Sequence, residues 1–322
     1  MKLFKLLPLA LALSACQSMP VTSMQGEIAY AINEKDATIS LINTATDKVV
    51  GKLPASGRLG EEINATVIGH AGQYLYVVDA DDAELIQLDL TSRQIVNKIE
   101  VGEGTEGLDI SPDGKTLVVC EEGAATVSFI DVASFKITAS IKVMGDAPEH
   151  CVYSPDGKVV VASQEGSDSI DVIDAINPRI IRTLPAAGHP RGMGFSPDGL
   201  KLYVANESAN VTEVWNTIDW TFETAVNTGE RSNGVKVSSD GKRVYISAGK
   251  SHTVDVIDTE GDFVIKSIPV GERPWNMGLT SDDSKLYVAN GRSNSVSVID
   301  TSTLEVIETI SVGQMPWGVY IP

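Results

Sequence analysis

The sequence predicts an all-β protein, a seven-bladed β-propeller of four-stranded antiparallel blades. Three observations lead there: a turn tetrad on a fixed period, a strand-closing residue on the same period, and two chain ends that each hold part of one repeat. The tetrad stands as Ser111-Pro-Asp-Gly114, Ser154-Pro-Asp-Gly157, Ser196-Pro-Asp-Gly199, Ser238-Ser-Asp-Gly241 and Thr280-Ser-Asp-Asp283, every 42 or 43 residues. The Asp or Asn closing a VID-like strand falls at Asp89, Asp131, Asp174, Asn216, Asp258 and Asp300. Two motifs keeping one period define a structural repeat.

Residues 285–301, KLYVANGRSNSVSVIDT, are its clearest copy. Two short, nearly continuous apolar runs flank a turn, which predicts two strands buried on both faces. A Gly-x-x-Pro-x-Gly segment ahead of the tetrad supplies an inner strand, and a stretch such as residues 305–310 supplies an outer one. Counting back from Ser111 reaches Gly69-His-Ala-Gly72, a degenerate tetrad, so six full copies span residues 57–312. Residues 27–53 carry only the last three strands of a unit (EIAYAIN, TISLIN, KVVGKL). Residues 313–321, GQMPWGVYI, match the inner strand at 271–279, GERPWNMGL. One blade is therefore expected to be shared between the ends, closing the ring and covering its open edges.

Residues 26–322 read as one domain, and what precedes them reads as an export signal. Lys2 and Lys5 come before the apolar run 6–13, with Leu13-Ser-Ala-Cys16 after it. This predicts a signal peptide over residues 1–15, too short to span a bilayer as a mature helix. Leu-Ser-Ala-Cys also resembles the bacterial lipobox, which implies a lipid on Cys16, a tether over 16–25 and, with Gln17 next, a periplasmic protein anchored at the outer membrane. Removing residues 1–15 takes two lysines and no acid, so the mature charge is more negative than the formal −18 of the whole chain. Such a surface repels phosphate backbones, which makes nucleic acid an unfavourable partner and a cationic or neutral ligand, or a basic protein, a favourable one.

Export permits a disulfide between Cys120 and Cys151. Two buried small hydrophobes are the first reading of that pair, a disulfide the second and a thiolate metal site the third.

LYVAN followed by VSVID, with the SPDG turns and Gly-x-x-Pro-x-Gly segments, resembles the YVTN-type β-propeller repeat family, including exported YncE-like proteins. The likeness covers residues 27–321. Relatives implied by it include surface-layer proteins and proteins associated with quinone-dependent catabolism; the haem-binding propeller of cytochrome-type nitrite reductase and the lactonase propellers are more distantly similar. No Cys-x-x-Cys-His for covalent haem occurs, and the chain holds four histidines. The DNA binding linked to YncE-like proteins conflicts with the acidic charge.

Loops leading into inner strands share a face with those between the LYVAN and VSVID strands, and ligands of such rings sit there, at the channel mouth. Aligned by period, the residue before the second Gly is Asn64, Glu106, Glu149, Arg191, Asn233, Trp275 and Trp317. The next position is small in most units, as a crowded axis requires, but is His150 in one. His150 beside Glu149 is a candidate pH-tuned hydrogen-bonding group or ligand to metal or haem; the alternative is a loop histidine satisfied locally. Trp275 and Trp317 fall in adjacent blades and form a candidate aromatic wall. Arg191, Arg231 and Arg273 are expected in three successive loops, to hold an anionic group or else to bridge neighbours such as Glu230 and Glu272. Residues 79–84, with Asp79, Asp82 and Glu84, lack the spacing of a calcium loop and read as a solvated acidic turn.

No nucleophile elbow, zinc-protease helix or phosphate loop is present. The leading expectation is a monomeric, non-catalytic module or scaffold that binds a partner protein or small ligand at the mouth. A carrier or assembly factor for haem, a quinone cofactor or a metal comes second. A lactonase-like hydrolase using Glu106, Glu149 and His150 as acid and base comes third.

Overall fold

The computed structural model describes residues 26–69 and 72–322. The expected signal peptide, Cys16 and tether lie outside the described residues. Within them, 28 strands form seven four-stranded sheets, each antiparallel. Blade 1 contains β1 (Ile28–Asn33), β2 (Thr38–Asn43) and β3 (Lys48–Leu53). Blades 2 to 4 run from β4 (Ile63–Ile68) to β7 (Gln94–Glu100), β8 (Thr105–Ile110) to β11 (Lys136–Lys142) and β12 (Pro148–Tyr153) to β15 (Arg179–Pro185). Blades 5 to 7 run from β16 (Pro190–Phe195) to β19 (Thr221–Asn227), β20 (Ser232–Val237) to β23 (Phe263–Pro269) and β24 (Pro274–Leu279) to β27 (Glu305–Ser311).

The last strand, β28 (Pro316–Tyr320), does not join blade 7. It pairs antiparallel with β1, Tyr30 opposite Tyr320 and Ala31 opposite Val319, so blade 1 is built from both ends of the ring. That pairing removes two sheet edges at once.

Burial explains why the apolar runs do not alternate. In blade 7 the second strand, KLYVAN, and the third, SVSVID, are buried almost throughout, whereas the outer EVIETIS alternates and is largely exposed. Middle strands are covered by a blade on each side; only the rim meets water. Tyr76, Tyr203, Tyr245 and Tyr287 recur at one repeat position and are among the largest fully buried side chains. Each contributes roughly 2–3 kcal/mol by area removed from water. Tyr287 joins Ala29, Ala31 and Ile42 in one cluster, so its ring cements blade 7 to blade 1.

The tetrads are turns locked by their own side chains. Ser111 Oγ donates to Asp113 Oδ1 at 2.8 Å and accepts the Thr116 N–H at 3.0 Å, while Gly114 N–H closes on Ser111 O at 2.8 Å. Gly114 sits at φ +70°, where a Cβ is strained. The degenerate copy keeps the same bond, Gly72 N–H to Gly69 O at 2.7 Å. The strand-closing aspartates cap the next turn: Asp300 Oδ1 accepts the N–H groups of Ser302 and Thr303, each at 2.9 Å.

One preference from the sequence is overturned. Cys120, on β9 (Thr116–Glu121) of blade 3, and Cys151, on β12 of blade 4, are joined as a disulfide with Cα atoms 5.9 Å apart. They are buried, as expected of small hydrophobes, but bridging is what their facing positions on adjacent blades permit.

Candidate functional site at the channel mouth

Each inner strand begins at one face of the ring, so its second residue points into the mouth. There Glu34, Glu62, Asn64, Glu106, Glu149, His150, Arg191, Asn233, Arg273, Trp275 and Trp317 line one cavity of about 220 Å³. Seven of the eight ligand-binding candidates in the sequence meet there. Arg231 lies just outside, beside Glu165, His189, Glu207 and Glu230.

The frame that brings them close is glycine. A Cβ on Gly107 would stand 2.6 Å from the Glu149 carbonyl oxygen, and one on Gly234 2.6 Å from that of Trp275. The next blade's backbone occupies the space a side chain would need. His150 holds this position in blade 4, and its imidazole lies face to face with Trp317, centroids 5.9 Å apart and planes 13° apart. It is neither in a loop nor locally satisfied, contrary to that alternative. Both ring nitrogens are buried without a hydrogen-bond partner among the described residues. Burial, then the Arg191 charge, pushes its pKa down to about 3, so the ring is neutral at physiological pH.

The arginines are spoken for. Arg191 pairs with Glu149, with Glu165 Oε2 at 3.2 Å and, through Nε, with Glu207 Oε2 at 2.8 Å. Arg273 Nη2 reaches Glu207 Oε1 at 3.2 Å, and Arg231 Nη1 reaches the same oxygen at 3.5 Å. Glu207 thus gathers three guanidiniums, replacing the expected bridges to Glu230 and Glu272. Arg191 also departs from its expected loop: it is the second residue of β16, whereas Arg231 and Arg273 precede their strands in left-handed conformations at φ +59° and +54°.

The two tryptophans make separate contacts instead of a mutual stack. Arg273 lies over Trp275, 5.8 Å from the ring centroid. Trp275 also packs on Gly291, whose Cβ would sit 2.8 Å from the indole.

Sequence reasoning missed the second set of acids. The residue just after the second strand is Glu34, Glu122, Glu165 and Glu207 in blades 1, 3, 4 and 5, but Ala80, Gly249 and Gly291 in blades 2, 6 and 7. That column of glutamates is visible in the repeat alignment one strand beyond the column that was read. Burial, then the neighbouring Glu62, raises the Glu34 carboxyl to about 7. Burial also pushes Glu149 well up despite Arg191, and Glu122 rises by burial and Glu106.

Asp79, Asp82 and Glu84 come together where the second strand of blade 2 (Tyr74–Asp79) turns into the third (Glu84–Asp89), their ligand atoms within 4.8 Å of one another; Asp79 is buried there, not solvated as expected. Asp79 is already occupied by the N–H groups of Glu61 and Glu62 at 3.1 and 3.2 Å.

The sequence matches the family described as "Lactonase, 7-bladed beta-propeller" over residues 150–311, just over half its length. The chain belongs to this lactonase propeller family. No curated protein matches it. Among solved structures it is similar to Kuenenia stuttgartiensis hydrazine synthase, at 24% identity over 83% of this chain and 90% of that one, with a TM-score of 0.75. A functionally unknown protein from Desulfotomaculum acetoxidans matches at 19% identity over 92% and 99%, TM-score 0.79. Dihydro-haem d1 dehydrogenase NirN in complex with DHE matches at 14% identity over 94% and 78%, TM-score 0.69. These likenesses show the fold. The lactonase propellers named from sequence as distant relatives are therefore the family itself.

Proposed function

We propose that this propeller is a binding module whose mouth captures a small, hydrogen-bond-donating, neutral or cationic ligand. One observation carries the reading: the buried atoms left without partners around the cavity include Glu149 Oε2, Asn64 Oδ1 and the two His150 nitrogens. Carboxylate and amide oxygens accept, and a neutral imidazole accepts through one nitrogen. A buried acceptor without a donor costs about 1–3 kcal/mol, which a donor-bearing ligand recovers on binding. Glu62 and Glu106 among the glutamates lining the cavity favour a positive charge, and the arginines that would attract an anion are paired with Glu149, Glu165 and Glu207. Trp317 and Trp275 supply flat apolar walls.

Benzylamine and benzoate, alike in size and opposite in charge, test this through tryptophan fluorescence. Saturable quenching by benzylamine, lost in Trp317→Ala and weakened in Glu149→Gln, is expected. Saturation by benzoate with no response to benzylamine would sink the reading.

The N-terminal pattern supports a periplasmic protein held at the outer membrane by lipid on Cys16, with residues 26–322 as its single domain. Palmitate incorporation that persists in Cys16→Ser would reject that placement.

A second reading, hydrolysis of a lactone, is favoured by family membership and by carboxyls of raised pKa, Glu34 and Glu149, beside a neutral imidazole. General acid and base groups share one cavity in that case. An imidazole held near pH 3 is a weak base, which is why binding stands first. A cofactor carrier is the third reading, prompted by the dehydrogenase solved with DHE; a visible band in the purified protein, lost in His150→Ala, would favour it.

A further inference from the structure

Below the mouth the channel continues as a second cavity of about 240 Å³, lined by Asp109, His150, Met193, Lys236, Asn276 and Trp317 among others. Lys236, the fifth residue of β20, is the one lysine lining it. At the matching place on β16 and β24, the neighbouring inner strands, stand Gly194 and Gly278, which add no side chain to this layer. The Lys236 side chain makes no hydrogen bond and no ion pair among the described residues. Asp109, three blades away, is held by the backbone N–H groups of Tyr153 and Ile110, each at 2.8 Å, and does not reach it.

We propose that Lys236 is a nucleophilic amine that captures a small uncharged aldehyde inside the axial channel. An unpaired ammonium in a confined space is poorly solvated, and a lysine in that position loses its proton more readily than one in water. Burial pulls the Lys236 pKa down, opposed by the charges of Asp109 and Asp283. The titratable groups that share the cavity with the amine are Asp109 and Glu106 of β8, His150 of β12 and Tyr320 of β28, and the charge of Asp283, in the turn after β24, also acts on it. These acids also decide the ligand class: they repel carboxylates, and among the described residues no second cation lines the cavity to hold one.

The chemistry balances without a further reactant. The Nζ lone pair forms a bond to the aldehyde carbon, the carbonyl oxygen takes up the two protons that the nitrogen gives up, and the C–O bond breaks to release water. An imine remains. A cavity of this size admits a short-chain aldehyde and excludes bulky ones.

Propanal with cyanoborohydride traps the imine as a propyl-lysine, located by peptide mapping of the intact wild-type protein. At pH 7.5 and limiting propanal, Lys236 is expected to be labelled about tenfold faster than the exposed Lys158 and Lys242, because more of its amine is free of its proton. The preference narrows as the pH rises into the range where amines in water also give up their protons. In Lys236→Gln, checked for an unchanged melting curve, the fast label disappears and the slow ones remain. Labelling of Lys236 no faster than of Lys158 and Lys242 in the wild-type protein overturns the proposal. The benzylamine titration is a separate readout at the mouth, so either result stands without the other.

Discussion

The two sides of the mouth are built by opposite means. On the side of blades 1, 3, 4 and 5 the residue after the second strand is a glutamate: Glu34, Glu122, Glu165 and Glu207. On the side of blades 6 and 7 that residue is glycine, and the room it leaves is filled from the start of β24: Arg273 packs on Gly249 and Trp275 on Gly291. The first side is rich in carboxylates, with Arg191 and Trp317 set among them; the second offers Trp275, Arg231 and Arg273 and no glutamate in this column. Glu207 joins them by holding Arg191, Arg231 and Arg273 together. The repeat frame is indifferent to the distinction; two columns of residues create it.

The largest effect is expected at the seam where the sides meet. Deleting residues 313–322 removes β28 with Trp317 and reopens blade 1, and the thermal midpoint should fall by on the order of 10 °C. An unchanged midpoint would mean that the β28–β1 pairing does not close the ring.

Glu207→Gln comes next, because it leaves Arg191 and Arg273 half-buried with fewer counter-charges. Urea unfolding should show a loss of about 3 kcal/mol, the range for breaking a buried ion pair. Replacing Cys120 and Cys151 together by Ala, which unpins blade 3 from blade 4 on the acidic side, should cost about 2–4 kcal/mol.

The smallest effect sharpens the comparison by pH. Glu34 has a folded pKa of about 7, above its ordinary value of 4.5, so the folded protein binds the extra proton. Its stabilising contribution is complete below pH 4.5 and is lost as pH rises through 7. His150 works the other way, its pKa depressed to about 3 from 6.5: the unfolded chain takes the proton, and stability falls as pH drops below 6.5. Glu34→Gln should therefore raise the melting temperature relative to wild type at pH 8 more than at pH 5. His150→Leu should flatten the decline between pH 6.5 and 4. Identical pH profiles in either variant would contradict the burial of that group.

The scaffold was legible because each of its devices is local and repeated. Serine, aspartate and glycine in the tetrad make their turn within a few residues, and the split blade shows in the match of residues 313–321 to 271–279. The site was legible only where it follows the inner strand. Arg191, Trp275 and Trp317 emerged from that column, but which acids an arginine meets depends on how strands stack within and between blades: Glu207 lies 16 positions away in the same blade and Glu149 42 positions away in the preceding one. Lys236 was passed over, since a lysine in a strand reads as solvated until the ring encloses it. The disulfide depended on register, as Cys120 and Cys151 face each other only once blades 3 and 4 are stacked.

The central claim is that the mouth accepts a donor-bearing ligand, and native mass spectrometry of the protein isolated from its own organism with Cys16 replaced tests it most directly. An added mass of a neutral or cationic molecule that survives desalting in the wild-type mouth and is lost in Trp317→Ala is the predicted result. A tightly retained anion, or a bound mass indifferent to Trp317, would contradict it.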